Sequence, residues 1–249
     1  MSSNLNVNIS MSADTVEELQ KSGYSLFAFR AVETSREDGM PVVWFSTGNY
    51  AENTQVNWME TYEAYASNSK VEEGVQVTAS CHRLIDLGQK MDVTKPIQCQ
   101  NPVAGIKEVI SVANTTDAKI PSVGISEKDN LGKFAPLCAF SLLGLNLIMI
   151  KPITKVFLMF GTNTMVTKTV IAKSIGPGII IDLTEKQERY VSYDANKGWK
   201  WNPKEGYAKD YEAGSDLVPQ LIIPSQDLKR AAVKAGSDLA PQLVIPSQT

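Results

Sequence analysis

The stretch that decides the fold runs from Gly39 to Ala79. It reads Gly39-Met-Pro-Val-Val-Trp-Phe-Ser-Thr47, then Gln55-Val-Asn-Trp-Met-Glu-Thr-Tyr-Glu-Ala-Tyr-Ala-Ser67, then Gly74-Val-Gln-Val-Thr-Ala79. Apolar and aromatic residues alternate with polar ones, and turn-forming residues separate the runs. That pattern predicts half-buried strands joined by tight connections, with the aromatic side chains supplying much of the core.

The middle run, Gln55 to Ala66, fits two periodicities. Read as a strand, it places Trp58 and Tyr62 on one face together with Glu60. Read as a helix, it forms a stripe of Trp58, Tyr62 and Tyr65. Neighbouring strand patterns and flanking turn residues favour the strand.

The rest of the chain extends the β pattern. A first strand is predicted around Val7 to Met11, and a short helix follows, capped by Asp14 and ended by Gly23. No alternation of strands and helices indicates a parallel sheet. We therefore predict a mainly β fold, an antiparallel β-sandwich or barrel with one short N-terminal helix and a short C-terminal helical tail.

The C-terminal segment is an internal duplication. Residues 213–226 (AGSDLVPQLIIPSQ) recur as residues 235–248 (AGSDLAPQLVIPSQ), and only Val218/Ala240 and Ile222/Val244 differ. We predict a β unit over residues 1–212, with an internal boundary near 96–105, and a duplicated tail over 213–249. The second copy is either dispensable or adds a strand to a neighbouring subunit, which would make the chain a homo-oligomer.

Composition excludes several functional classes. A net charge of -3 and a pI of 5.4, without any Lys or Arg block, argue against nucleic-acid binding. The N-terminus shows no secretory signal pattern, so a cytoplasmic location is expected, with non-classical release as the alternative. The uncharged run from 134 to 150 is interrupted by Pro136 and Gly144, which favours buried strands over a membrane span.

Cysteine and histidine counts limit metal and cofactor chemistry. The three cysteines Cys81, Cys99 and Cys138 form no CxxC pair, so free buried thiols in a reducing compartment are expected. With one histidine, a histidine-rich metal site is ruled out by number, and no calcium loop or phosphate-binding loop is present in the sequence. We expect no metal and no cofactor.

Several motifs together resemble a group of soluble β-rich proteins predicted in fungi and some bacteria. The motifs are Pro41-Val-Val-Trp-Phe-Ser-Thr47, Val56-Asn-Trp58 with Tyr62-Glu-Ala-Tyr65, Pro136-Leu-Cys-Ala-Phe140, Val156-Phe-Leu-Met-Phe160, Asp182-Leu-Thr184 and Gly198-Trp-Lys-Trp201. The resemblance covers roughly residues 7–223 and implies one soluble β-rich unit, with no activity or site residue to transfer.

Two residues are candidates for catalysis. Glu60 would have a raised pKa, as general acids do, if it shares a buried face with Trp58 and Tyr62; the alternative is a solvent-facing carboxylate. His82 is the single histidine, and its neighbour Cys81 would point to the opposite face of a strand, so the two form no dyad. The solvent-facing alternative is favoured for Glu60, and an ordinary structural or surface role is favoured for His82.

Trp199 and Trp201 are the main candidates for binding. Alternation places both indoles on one face beside a glycine-containing loop, where they would stack on sugars or meet a membrane surface. The alternative, that both close the end of the sandwich, is favoured because Trp is usually buried. Trp58 and Tyr62 complete the predicted binding set.

Three functions remain open. The first is a non-enzymatic, lectin-like or membrane-active binding module that uses exposed aromatic residues on a glycan or membrane surface. The second is a cofactor-independent enzyme acting on an apolar small molecule in a β cavity through Glu60 or His82. The third is a self-assembling structural protein connected by its duplicated tail. Binding is ranked first because no conventional catalytic set is present.

Overall fold

The computed structural model describes residues 4–94, 97–129, 131–162 and 165–236. It confirms the mainly β fold with a short N-terminal helix and a C-terminal helix. The strands are β1 (Asn4–Ser10), β2 (Tyr24–Thr34), β3 (Met40–Pro41), β4 (Phe45–Thr47), β5 (Asn53–Met59), β6 (Tyr62–Ser67), β7 (Cys81–Ile85), β8 (Gln89–Thr94), β9 (Gln98–Cys99), β10 (Val103–Ala104), β11 (Ile110–Asn114), β12 (Ile120–Lys128), β13 (Phe134–Pro136), β14 (Cys138–Leu142), β15 (Asn146–Thr162), β16 (Gly178–Asp182), β17 (Glu188–Asp194), β18 (Gly198–Lys200), β19 (Ala208–Tyr211) and β20 (Ile222–Pro224).

Three sheets build the molecule. A four-stranded sheet has the order β18-β17-β1-β5. A ten-stranded sheet follows the path β10-β8-β11-β15-β16-β19, with β2 beside β15, β4 and β20 beside β2, and β9 beside β8. A six-stranded sheet has the order β3-β14-β12-β6-β7, with β13 beside β12. Strand pairing is mostly antiparallel, but β1–β17, β8–β11 and β2–β20 are parallel.

The helices are α1 (Ala13–Lys21), α2 (Val218–Leu221) and α3 (Gln226–Gly236), with a 3₁₀ turn at Pro203–Glu205. The cap of α1 differs from the prediction. Ser12 is the N-cap, since its hydroxyl accepts from the Thr15 N–H, and Asp14 lies in the first turn instead. Gly23 has a φ of +69° just after the helix, as predicted for its C-terminal end.

The deciding stretch contributes strands to all three sheets. Gln55 to Ala66 is β-structure, as predicted, but it breaks after Met59 into β5 and β6, which belong to different sheets. The strand predicted for the run from Gly74 to Ala79 is wrong: this segment forms only an isolated bridge, between Gln76 and Thr169. The main core between the sheets includes Trp44, Trp58 and Tyr62.

The uncharged run from 134 to 150 forms β13, β14 and the start of β15, and Leu145 takes a positive φ at the bend. Within the described residues, no helix is long and apolar enough to cross a membrane. In the stretch of the predicted boundary near 96–105, the short strands β9 and β10 each pair with β8 in the ten-stranded sheet.

The cysteine prediction was wrong for two residues. Cys81 and Cys99 form a disulfide, with their Cα atoms 5.6 Å apart, while Cys138 is a buried free thiol. The bond joins β7 of the six-stranded sheet to β9 of the ten-stranded sheet. Spacing along the chain could not indicate this pair, because the packing of two sheets brings the thiols together.

Candidate functional site

The outer face of the four-stranded sheet is lined by amides. In β1, Leu5, Val7 and Ile9 are buried, so the alternating residues Asn4, Asn6 and Asn8 point away from the core. In β5 the buried Val56 and Trp58 leave Asn53, Gln55 and Asn57 on the outer side. Asn is depleted in strands because its side chain competes with the backbone for hydrogen bonds. Five Asn in two seven-residue strands therefore need a reason beyond folding.

Strand register aligns these side chains in rows across the sheet. We call this surface the amide face; it consists of the outward-pointing residues of Asn4 to Ser10, Asn53 to Met59 and Glu188 to Ser192. Asn6 lies opposite Glu188 on β17 and Asn57 on β5. Asn8 lies opposite Tyr190 and Gln55, and Ser10 lies opposite Ser192 and Asn53. Each row thus presents three hydrogen-bonding side chains at the spacing of neighbouring strands, about 4.8 Å.

Hydrogen bonds hold the middle of the amide face in one arrangement. Gln55 Nε2 donates to Asn8 Oδ1 at 2.9 Å, and Asn8 Nδ2 donates to Glu188 Oε1 at 2.9 Å. Asn6 Nδ2 donates to the same carboxylate oxygen at 3.1 Å. The three amides are therefore oriented by one another and by a single charge, as a preorganised binding surface requires.

The electrostatics of the amide face centre on Glu188. Hydrogen bonds from Asn8, then Tyr190 and Asn6, hold the pKa of its carboxyl below the ordinary value of 4.5. The same contact raises the pKa of the Tyr190 hydroxyl, because the phenol must stay protonated to donate to the carboxylate. Glu188 is thus anionic and Tyr190 neutral at physiological pH.

Tyr190 stands at the edge of a depression of about 300 Å³. Asn8, Ser10, Asn53, Gln55 and Tyr190 line it, together with Ile9, Thr54 and Val191. Tyr190 is 64% exposed, whereas every other aromatic residue of the chain is buried or half-buried. The volume is at the lower end of the range for small-molecule sites, and the lining residues carry no charge.

The tryptophans predicted to bind do not lie at the surface. Trp199 is only 7% exposed, its ring stacks on Phe160 at 5.7 Å, and its Nε1 donates to the Pro177 carbonyl at 3.2 Å. Trp201 is half-buried and packs against the same core. Trp201 follows the end of β18, and both indoles are directed toward the main core.

Trp58 and Tyr62 are likewise buried, at 3% and 6% exposure. Glu60 is half-buried at the break between β5 and β6, where its carboxylate lies 3.4 Å from the Tyr62 hydroxyl. His82 is exposed on the edge strand β7, with its Nδ1 3.1 Å from Glu63. Glu60 and Tyr62 are thus in contact, and Trp58 lies in the same main core as Tyr62, whereas His82 pairs with Glu63. Neither Glu60 nor His82 lines the cleft along β15 that is described below.

A buried ion pair, which the sequence reasoning missed, lies beside Trp58. Arg30 Nε donates to Glu127 Oε2 at 2.8 Å, and both side chains are wholly buried. Trp58 lies under the guanidinium at 4.3 Å, and Arg30 also donates to the Lys155 carbonyl at 3.0 Å. Desolvation dominates the raised pKa of Glu127, with Arg30 opposing it. The pair joins β2 to β12 and thus two sheets, so we assign it a structural role.

A cleft of about 680 Å³ follows the bent middle of β15. Its cations are already engaged: Lys155 lies 3.2 Å from Asp182, Arg189 lies 3.4 Å from Glu205, and Lys151 is paired with Glu33. Because each positive charge faces a carboxylate, the cleft offers no concentrated charge for an ionic ligand. Across the described ranges, no group of three His, Cys, Asp or Glu residues could hold a metal ion.

The amide face was not identified from the sequence, although a signal was present. Asn4-Leu5-Asn6-Val7-Asn8 and Asn53 to Asn57 repeat an amide at every second position, a pattern unusual for strands. Tyr190 has no such signal, since it reaches the amide face only through the parallel pairing of β1 with β17. No protein-family model, no curated protein and no solved structure matches the chain.

Proposed function

We propose that this protein is a non-enzymatic carbohydrate-binding module that takes an uncharged sugar on the amide face. The proposal depends on one observation: Tyr190, the single exposed aromatic ring among the described residues, borders a depression lined by amides and hydroxyls. It keeps the lectin-like function expected from the sequence but moves the site from Trp199 and Trp201 to Tyr190 and its neighbours.

The chemistry of the lining suits a sugar. Each sugar hydroxyl donates one hydrogen bond and accepts others, and a planar amide offers two donors beside an acceptor. Asn8, Asn53 and Gln55 therefore match neighbouring hydroxyls, while the Tyr190 ring offers an apolar face for the C–H side of a pyranose. Because no cation lines the depression, acidic sugars gain no charge pairing there.

Binding without hydrolysis is supported by the number of carboxylates. Glycoside hydrolases usually place two carboxyl groups about 5–10 Å apart across the scissile bond. Among the described residues of the amide face, Glu188 is the single carboxylate of the central rows. Because its pKa is lowered, the carboxyl is ionised and is a poor general acid.

A glycan array followed by titration calorimetry tests the proposal. We expect neutral glycans to bind, with the Kd raised at least about tenfold in Tyr190→Ala, which corresponds to about 1.4 kcal/mol. Asn53→Ala should weaken binding as well, because it removes one of the hydrogen-bonding amides that line the depression.

Matched controls come from other parts of the surface. Leu84→Ala removes a side chain of similar exposure, 63%, from β7, and Gln98→Ala removes an exposed amide from β9. Both should leave the Kd unchanged. A folded protein that binds no neutral glycan, or a Tyr190→Ala variant with the affinity of the parent, would refute the proposal.

A further inference from the structure

The first copy of the duplicated tail segment is seated in a groove on the outer side of the ten-stranded sheet. We call this the tail groove; its floor is formed by Phe27, Phe29 and Phe157, and its wall by β2 from Val32 to Thr34. Leu217 and Leu221 are fully buried in the cluster that contains these three Phe residues. Ile222, at 1% exposure, turns into the main core.

Backbone groups make most of the polar contacts of the first copy. The Leu217 N–H donates to the Ala172 carbonyl at 2.7 Å, and the Ser225 N–H donates to the Thr34 carbonyl at 2.9 Å. Gly214 donates to the Ser174 carbonyl at 2.8 Å and has a φ of +82°, which favours glycine. The tail groove therefore binds the first copy through backbone hydrogen bonds and a few apolar side chains.

The second copy carries every group that these contacts use. Gly236 matches Gly214, Leu239 matches Leu217, and Leu243 matches Leu221. Side-chain contacts are retained as well: Gln220 accepts from the Tyr211 hydroxyl at 2.8 Å, and Gln242 stands at the equivalent position.

The two substitutions are conservative. Val244 replaces Ile222 and removes one methylene from a buried site, and Ala240 replaces Val218, which is half-buried. Both replacements leave a side chain that fits the space, because neither adds volume or polarity. Residues 237–249 lie outside the described part of the chain, whereas Ala235 and Gly236 end α3.

We propose that the second copy, residues 235–248, is an alternative occupant of the tail groove of its own chain. When the first copy leaves, Leu239, Leu243 and Val244 fill the places of Leu217, Leu221 and Ile222. The exchange loops out residues 213–234. Closing a 22-residue loop by itself lowers the population of the exchanged form by about 100-fold, because the closure probability falls as the three-halves power of loop length. The exchange also releases α3, whose Leu228 is buried in a cluster with Val109 and Met149, and this lowers the population further.

Cysteine cross-linking in the full chain tests the exchange. Glu33 and Ile223 are directly opposed in the parallel pair of β2 with β20, and both are half-buried, so Glu33→Cys with Ile223→Cys should form a disulfide rapidly. The Glu33→Cys, Ile245→Cys variant should form an intramolecular disulfide at least about 100-fold more slowly. Glu33→Cys with Asp238→Cys is the control, since Asp216, the equivalent of Asp238, bridges to Lys173 away from β2.

Each outcome of the cross-linking is decisive. A monomeric cross-link to Ile245→Cys above the control rate supports the proposal. A cross-link found only in dimers means that the occupant comes from a second chain, and a rate equal to the control means that the groove rejects the second copy. Either result overturns the inference.

Deletion of residues 213–234 provides a second measurement. The deletion joins Glu212 directly to Ala235 and removes the loop cost. Hydrogen exchange at Val32 to Thr34 should remain slow in this variant and become at least tenfold faster when Leu243→Asp is added. Equal exchange rates in the two deletion variants would contradict the proposal.

Discussion

The buried pair of Arg30 and Glu127 makes an asymmetric prediction for stability. Glu127→Leu removes the partner of a guanidinium that is 0% exposed and that cannot lose its proton. The remaining contacts, the Lys155 carbonyl at 3.0 Å and the Trp58 ring at 4.3 Å, compensate for only part of the charge. We expect a loss of about 3–5 kcal/mol of unfolding free energy, as for other broken buried pairs.

Arg30→Met should cost less, because burial has already raised the pKa of Glu127 and the carboxyl can become neutral by taking up a proton. Losing Arg30 raises that pKa further. Since the folded-state pKa then lies above the unfolded value, the penalty is largest above the folded pKa and diminishes as the pH falls toward the unfolded value of about 4.5. Glu127→Leu should show no such recovery at low pH.

Urea denaturation followed by tryptophan fluorescence measures both effects, because Trp44 and Trp58 lie beside the pair. The double variant Arg30→Met, Glu127→Leu should be more stable than Glu127→Leu alone, since it leaves no unpaired buried charge. The reasoning is refuted if Glu127→Leu costs less than about 1 kcal/mol, if the two single variants lose equal stability at all pH values, or if their losses simply add.

Three further predictions follow from other contacts. Reduction of the Cys81–Cys99 disulfide, which spans 18 residues, should cost about 3 kcal/mol; an unchanged urea midpoint in reductant would contradict this. Because hydrogen bonds keep the pKa of Glu188 below 4.5, glycan affinity should be constant from pH 8 down to about pH 5; a steep loss within that range, measured by calorimetry, would show that another group controls binding. Gly124→Ala should cost up to about 3 kcal/mol in chemical denaturation, because a Cβ would collide with the carbonyl oxygen of a neighbouring strand, whereas Gly48→Ala, with no atom closer than 3.8 Å, should be nearly neutral.

Local patterns in the sequence predicted where strands form better than they predicted which strands lie next to one another. Alternation of Val7 and Ile9 with Asn8 and Ser10 correctly indicated the strand β1, because the two-residue period is a property of the strand itself. For Trp199 and Trp201, alternation could not indicate which side of the sheet faces water, because that depends on the sheet packed against it.

The candidate site depends on pairing between strands that are distant in the sequence, so it could not be predicted from the sequence. The amides of β1 were visible in the sequence, but Glu188 and Tyr190 join them only because β17 pairs with β1 in parallel. The ion pair of Arg30 with Glu127 joins two sheets in the same way. A single sequence gives no information on such contacts, since neither residue type nor spacing distinguishes these partners from other charged residues.

The amide face has a consequence for how the protein matures. Asn8 and Glu188, which meet at 2.9 Å, are separated by 180 positions along the chain. The strand β17 must therefore be synthesised before the depression can exist, and closing so distant a pairing is slow. A nascent chain that ends before Glu188 would lack the proposed binding site, although it already carries every amide of β1 and β5.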